Sequence, residues 1–269
     1  MATLLDKMPA INDVELTSFK KQLTLDKVSQ DEFINQFNQW VSEDKINSLI
    51  GFQSFPIRDV CFGVTHYIDN LIMKYGHQIQ ILEHDYNYYN RLWPHKKWAV
   101  VGNLEPNMPL LMALPFPGYG IPHPQMPKLL QEALDKNIDV HLDCSWLPAS
   151  RNIKFDFSHP AIQSFAISLS KGLALDWNRV AVRFSRSKDE NDAITIANNF
   201  NMINEVCLSI GYQYMKNFDI NFLWNKHGAN YSKICKEFKV IPTSVIHAVK
   251  DPKTGKPKGT RDILLSLSA

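Results

Sequence analysis

Ser168-Leu169-Ser170-Lys171-Gly172-Leu173, with Asn178-Arg179-Val180 close behind, is the stretch on which the reading of this chain turns. An apolar, strand-like run from Ser164 to Leu169 ends there and a turn follows. The lysine stands at that junction, with hydroxyls one and three residues before it and an arginine eight residues after it. A lysine at a strand end is ordinarily a surface residue whose ammonium reaches water. Buried beside another electron-poor group, its proton affinity falls and it becomes an amine nucleophile able to hold an aldehyde as a Schiff base. A guanidinium fork beside it suits a phosphate dianion. Surface exposure or turn capping accounts for each residue singly but not for their joint spacing.

Composition bounds the alternatives. A chain of 269 residues can bury a large core, and one large domain with attached helices is the expected organisation. A formal net charge of +2 gives no electrostatic case for nucleic acid or an anionic membrane surface. No apolar run reaches the roughly 20 residues that span a bilayer. The first 27 residues mix acids, lysines and short apolar pairs and lack the apolar core of a signal peptide. Cys61, Cys144, Cys207 and Cys235 are far apart, so neither a zinc site nor a disulfide scaffold is expected, and no metal is assigned. Reduced thiols and a cytoplasmic location are the expectation.

Three segments are expected. Residues 1–57 form an N-terminal helical segment, in which Phe33, Phe37, Trp40 and Val41 carry helical spacing between residues 14 and 48. Residues 58–187 alternate strands and helices. Val64 to Tyr75 and Lys128 to Asp135 read as helices. Ile79 to Leu82, Trp98 to Val101, Leu110 to Leu114, Val140 to Cys144, Ile153 to Phe157, Ser164 to Leu169 and Val180 to Phe184 read as strands. That alternation predicts an α/β fold with a mainly parallel sheet and helices on both faces. The proline-rich connection from Pro115 to Pro127 lies where ligand loops line the carboxyl edge of such sheets. Residues 188–269 turn helical again, with one long periodic stretch from Asp189 to Tyr214 and a shorter one from Tyr231 to Phe238. A lysine-rich loop or hairpin covers Lys250 to Arg261.

Ser168, Leu169, Ser170, Lys171, Ala174, Leu175, Arg179, Val180 and Ala181 fall within fourteen residues. They resemble the lysine motif of class I/II aminotransferases, the fold-type I enzymes that use pyridoxal 5'-phosphate. Trp177 departs from it, standing where the family has a small residue or asparagine. The resemblance implies that Lys171 holds the cofactor, while Arg179, Ser168 and Ser170 hold its phosphate. Gly63-Val64-Thr65, opening a helix, resembles the turn whose free N–H groups complete that phosphate site. Asp143, at the end of its strand, resembles the carboxylate that faces the pyridine nitrogen; a helix N-cap is the ordinary reading of such an aspartate. Tyr86 resembles the aromatic stacked on the ring; a core or interface tyrosine is the ordinary alternative.

Two more positions depart from the pattern around one ring oxygen. Phe116 stands near the place of a family asparagine, with Tyr119 and His123 as nearby polar groups, and Trp146 replaces a tyrosine. The resemblance covers roughly residues 58 to 186 and implies a fold-type I large domain with a reduced helical C-terminal part, assembled as a homodimer. It implies transamination between an amino acid and a 2-oxo acid. A decarboxylase or lyase of the same fold, or a catalytically weak member serving as a binding or regulatory protein, stays open. Arg183, Arg186 and Arg261 are the cations at hand for a substrate carboxylate, and none of them is assigned.

Overall fold

Apolar runs bounded by turn residues form the centre of the molecule, as strands buried on both faces require. The computed structural model describes residues 4–76, 78–92 and 97–268. In chain order, α1 (Val14–Lys20), α2 (Gln30–Ser42) and the short strand β1 (Ser48–Ile50) precede β2 (Ile57–Cys61) and α3 (Gly63–Tyr75). Next come β3 (Gln80–Leu82), α4 (Asn87–Leu92), β4 (Lys97–Ala99), β5 (Leu110–Ala113), α5 (Met126–Asp135) and β6 (Val140–Asp143). β7 (Lys154–Asp156), β8 (Ile162–Ser168), the single turn α6 (Leu169–Gly172) and β9 (Ala181–Ser185) complete this part. The remainder is α7 (Ala193–Asn199), α8 (Glu205–Asn217), α9 (Phe222–Glu237), a small sheet of β10 (Ile241–Pro242), β11 (Ala248–Lys250) and β12 (Pro257–Gly259), and α10 (Arg261–Ser268).

Among the described residues, seven strands make one sheet in the order β2-β9-β8-β6-β5-β3-β4. Every neighbouring pair is parallel except those of β9, which runs antiparallel to both β2 and β8. β5, β6 and β9 are buried along their whole length. The α/β architecture with a mainly parallel sheet is therefore as the sequence predicts. Because β3, β5, β6 and β8 run the same way, the loops that leave their carboxyl ends gather on one edge.

Three expectations need correction. The strand predicted over Ile153 to Phe157 exists as β7, yet it pairs with β1 in a separate two-stranded sheet. Its ends Lys154 and Asp156 are exposed, which suits a surface pair and not a central strand. β2 was not anticipated, because Arg58 and Asp59 interrupt its apolar pattern. Asp59 is nevertheless buried, since Arg183 on the neighbouring β9 binds it at 2.7 Å and Asp192 at 2.7 Å. The stretch from Asp189 to Tyr214 is two helices. Asp192 caps α7 by accepting the Thr195 N–H, and Asn204 caps α8 by accepting that of Cys207.

The N-terminal helices pack on the C-terminal ones. A capping box of Ser29 and Glu32 starts α2, and its buried face meets α8. There the Trp40 indole donates to the Phe218 carbonyl at 2.9 Å, and the Tyr214 hydroxyl donates to that of Leu16 at 2.6 Å. Gly211 allows the approach, because a Cβ there would stand 2.9 Å from Phe33 and 3.1 Å from Leu169 and Val180. The C-terminal part carries an antiparallel sheet as well as helices, and the lysine-rich tail includes the hairpin of β11 and β12. Among the described residues no helix is long and apolar enough to cross a membrane, and no three metal-ligating side chains cluster.

Candidate active site

At the carboxyl edge of the sheet the chain encloses a cavity of about 800 Å³. β8 ends at Ser168, whose hydroxyl accepts the Ser170 N–H at 3.0 Å and donates to the Ser170 hydroxyl at 2.9 Å. That bond caps the single turn α6 and turns Lys171 into the cavity. Its ammonium stands 3.4 Å from a carboxylate oxygen of Asp176, with the side chain 24% exposed. From the far side, buried His247 donates through Nε2 to the Lys171 carbonyl at 3.1 Å. Burial pushes the His247 imidazole down to about 3, so it is neutral.

Asp143 terminates β6 and is 3% exposed. One carboxylate oxygen accepts the Tyr89 hydroxyl at 2.8 Å and the other the Ser145 N–H at 2.9 Å. Burial raises the pKa above the ordinary aspartate value, opposed by hydrogen bonds from Ser145 and Tyr89 and by the charge of Lys171. The lysine and the aspartate thus face one space.

The third corner is the start of α3. The N–H groups of its first turn have no partners inside the helix, and no side chain caps them. Arg179 donates to the Thr65 hydroxyl at 2.8 Å. Gly63 adopts φ +76°, and a Cβ there would stand 2.9 Å from the Arg179 guanidinium, so glycine lets the cation lie against the helix entrance. Tyr67 secures α3 from below, sharing a 2.8 Å hydrogen bond with Ser164 of β8.

Of the residues singled out from sequence, Lys171, Asp143, Ser168, Ser170, Arg179, Tyr86, Val64 and Thr65 all line this cavity. Gly63 lies directly behind Arg179. Tyr86 is 42% exposed and meets Tyr89 edge to face, with centroids 5.6 Å apart. Phe116 and Trp146 line the wall as well. Tyr119 shares it, whereas His123 packs edge to face on Phe116 at 4.9 Å.

Sequence reasoning missed three residues. Tyr89 is the donor that orients Asp143. His247 anchors the backbone of Lys171. Asp85, buried beside the cavity, accepts the N–H groups of Tyr86 at 2.7 Å and Ala113 at 3.1 Å. Burial pushes Asp85 up to about 8, with the nearby Asp143 charge adding to the rise against those two hydrogen bonds. An acid directly after a buried strand was the available signal for Asp85; nothing local marks the other two.

The sequence matches no family model and no curated protein significantly. Solved structures do match in fold. An aspartate aminotransferase from Thermotoga maritima shares 11% identity over 88% of this chain and 73% of its own, with a TM-score of 0.61. An L-threonine-O-3-phosphate decarboxylase from Porphyromonas gingivalis shares 11% over 91% and 80%, with a TM-score of 0.59. A C-S lyase from Staphylococcus hominis, described as PLP-bound, shares 11% over 87% and 71%, with a TM-score of 0.56. The chain has the fold of the fold-type I pyridoxal-phosphate-dependent enzymes.

Proposed function

We propose that the chain binds pyridoxal 5'-phosphate and acts on an amino acid, with transamination to a 2-oxo acid as the first reading. One observation carries it: a lysine, a buried aspartate and an arginine at an uncapped helix start converge on one cavity. The donor set suits the cofactor. Arg179, the Thr65 hydroxyl, the first-turn N–H groups of α3 and the hydroxyls of Ser168 and Ser170 would hold a phosphate dianion. Asp143, fixed by Tyr89 and Ser145, would pair with a protonated ring nitrogen, an exchange that offsets the cost of its burial. Tyr86 would cover the ring face.

When bound, the cofactor supplies an electron sink for a carbanion at the substrate α-carbon. Lys171 Nζ would hold the cofactor through its aldehyde and, when free, would carry the substrate α-proton. Asp176, 3.4 Å away, keeps that ammonium oriented into the cavity. Homodimeric assembly is part of the proposal, following the family resemblance.

A lyase or decarboxylase reading uses the same residues, and enzymes of both kinds share the fold. Phe116 and Trp146 favour keeping it, because Phe116 puts an apolar ring, and Trp146 an indole that can only donate, where the aminotransferase pattern has an asparagine and a tyrosine. Product analysis separates the readings. Incubation with the cofactor, an amino acid and a 2-oxo acid is expected to yield the exchanged pair without loss of carbon dioxide or thiol. Release of either, with no exchanged amino acid, would assign the second reading instead.

A further inference from the structure

The cations around the cavity are not equivalent. Lys171 is engaged by Asp176, and Arg179 is turned to Thr65 at the start of α3. Lys7 and Lys256 are exposed at the rim. Lys250 differs from all four. It ends β11, held between β10 through Ile241 and β12 through Pro257, so its backbone is fixed on both sides. Its side chain is half-buried; the stem passes Gly255, where a Cβ would stand 3.8 Å from Lys250 Cε. The ammonium lies over the Tyr119 ring, 5.4 Å from its centroid. Among the described residues no carboxylate comes within ion-pair distance of it. The neighbouring Asp251 carboxylate instead accepts the Lys253 N–H at 2.8 Å within its own turn.

A cation seated on an aromatic face at the wall of a cavity, with its hydrogen-bonding capacity unspent, is arranged to receive an anion. We propose that Lys250 receives an anionic group of the substrate, a carboxylate or a phosphate, and so makes the site selective for acidic over uncharged ligands. This inference rests on the reading of the cavity as the substrate site, and it deepens that reading by naming a specificity residue on the far hairpin. The turn that presents Tyr119 is itself fixed, since the Phe116 carbonyl accepts the N–H groups of Tyr119 at 3.1 Å and Gly120 at 2.8 Å. Lys250 therefore has a defined position against which the anion is read.

The test is calorimetric titration of the full chain, with and without pyridoxal phosphate, using succinate, methyl phosphate and uncharged succinamide. Wild-type protein loaded with cofactor is expected to bind at least one of the two anions about 10-fold or more tighter than succinamide, the magnitude of one charge-assisted hydrogen bond. Lys250→Met should remove that difference and Lys250→Arg should keep it. The anion that gains more identifies carboxylate or phosphate as the preferred group. A Lys250→Met protein that still favours the anions to the wild-type extent, or a wild type with no preference, overturns the proposal. Circular dichroism matched to wild type shows that the variant is folded. The comparison of wild type with Lys250→Met is also made on the cofactor-free chain, so failure of the Lys171 reading would appear separately, as a missing visible absorbance band.

Discussion

Asp143 and Asp85 are two carboxyls buried at one edge of the sheet, and they meet different surroundings. Asp143 has the Tyr89 hydroxyl, the Ser145 N–H and the charge of Lys171 to favour its ionised form. Asp85 has two backbone N–H groups and, among the described residues, no paired cation, and burial takes it from 3.8 to about 8. Between those pH values the folded chain holds a proton that the unfolded chain has lost. Stability is therefore fully present below the lower value and falls as pH rises toward the upper one, by at most about 1.4 kcal/mol per pH unit. Asp85→Asn should flatten that slope, as measured by urea denaturation at pH 5 and pH 8. An unchanged slope in the variant would show that Asp85 is not the titrating group. At this scale the legible residues were Lys171, Ser168, Ser170 and Arg179, packed into one short motif, and Asp143, Tyr86, Val64 and Thr65, which stand where a strand ends or a helix opens. Asp85, Tyr89 and His247 act on partners 28, 54 and 76 residues away, a separation that no local pattern encodes.

Among elements, the entrance of α3 carries the sharpest local requirement. Gly63 combines a left-handed φ of +76° with a guanidinium packed where a Cβ would be. Gly63→Ala is expected to cost about 1–2 kcal/mol of stability for the backbone alone. By pushing Arg179 aside, it should also weaken pyridoxal phosphate binding by roughly 10-fold, the worth of one charge-assisted hydrogen bond. Equilibrium dialysis measures the second effect, and unchanged affinity would separate Arg179 from the phosphate. Most strands and the helices on the sheet were legible because each is an apolar run closed by a turn residue. β2 was not, since its Arg58-Asp59 pair reads as surface until Arg183 is seen beside it. The break between α7 and α8 was hidden because the apolar periodicity continues across the two caps at Asp192 and Asn204.

Across the whole molecule, the cavity is walled by parts of the chain far apart in sequence, from Asp6 and Met8 to Lys256 and Pro257. One buried cluster joins the N-terminal helices, the sheet and the C-terminal helices, and a second packs α3 on the sheet, so this wall rests on both. The parallel architecture could be read from alternating elements, because that alternation leaves few other sheets to build. The contribution of the last hairpin could not, as a lysine-rich tail has the composition of a solvated loop. The account as a whole depends on the amine of Lys171, and borohydride reduction of the chain mixed with pyridoxal phosphate tests it directly, followed by peptide mass analysis. The cofactor mass is expected on the peptide containing Lys171 and nowhere else in comparable yield, and it should be lost in Lys171→Ala. Labelling spread over surface lysines, or a Lys171→Ala protein that retains the same specific adduct, would contradict it.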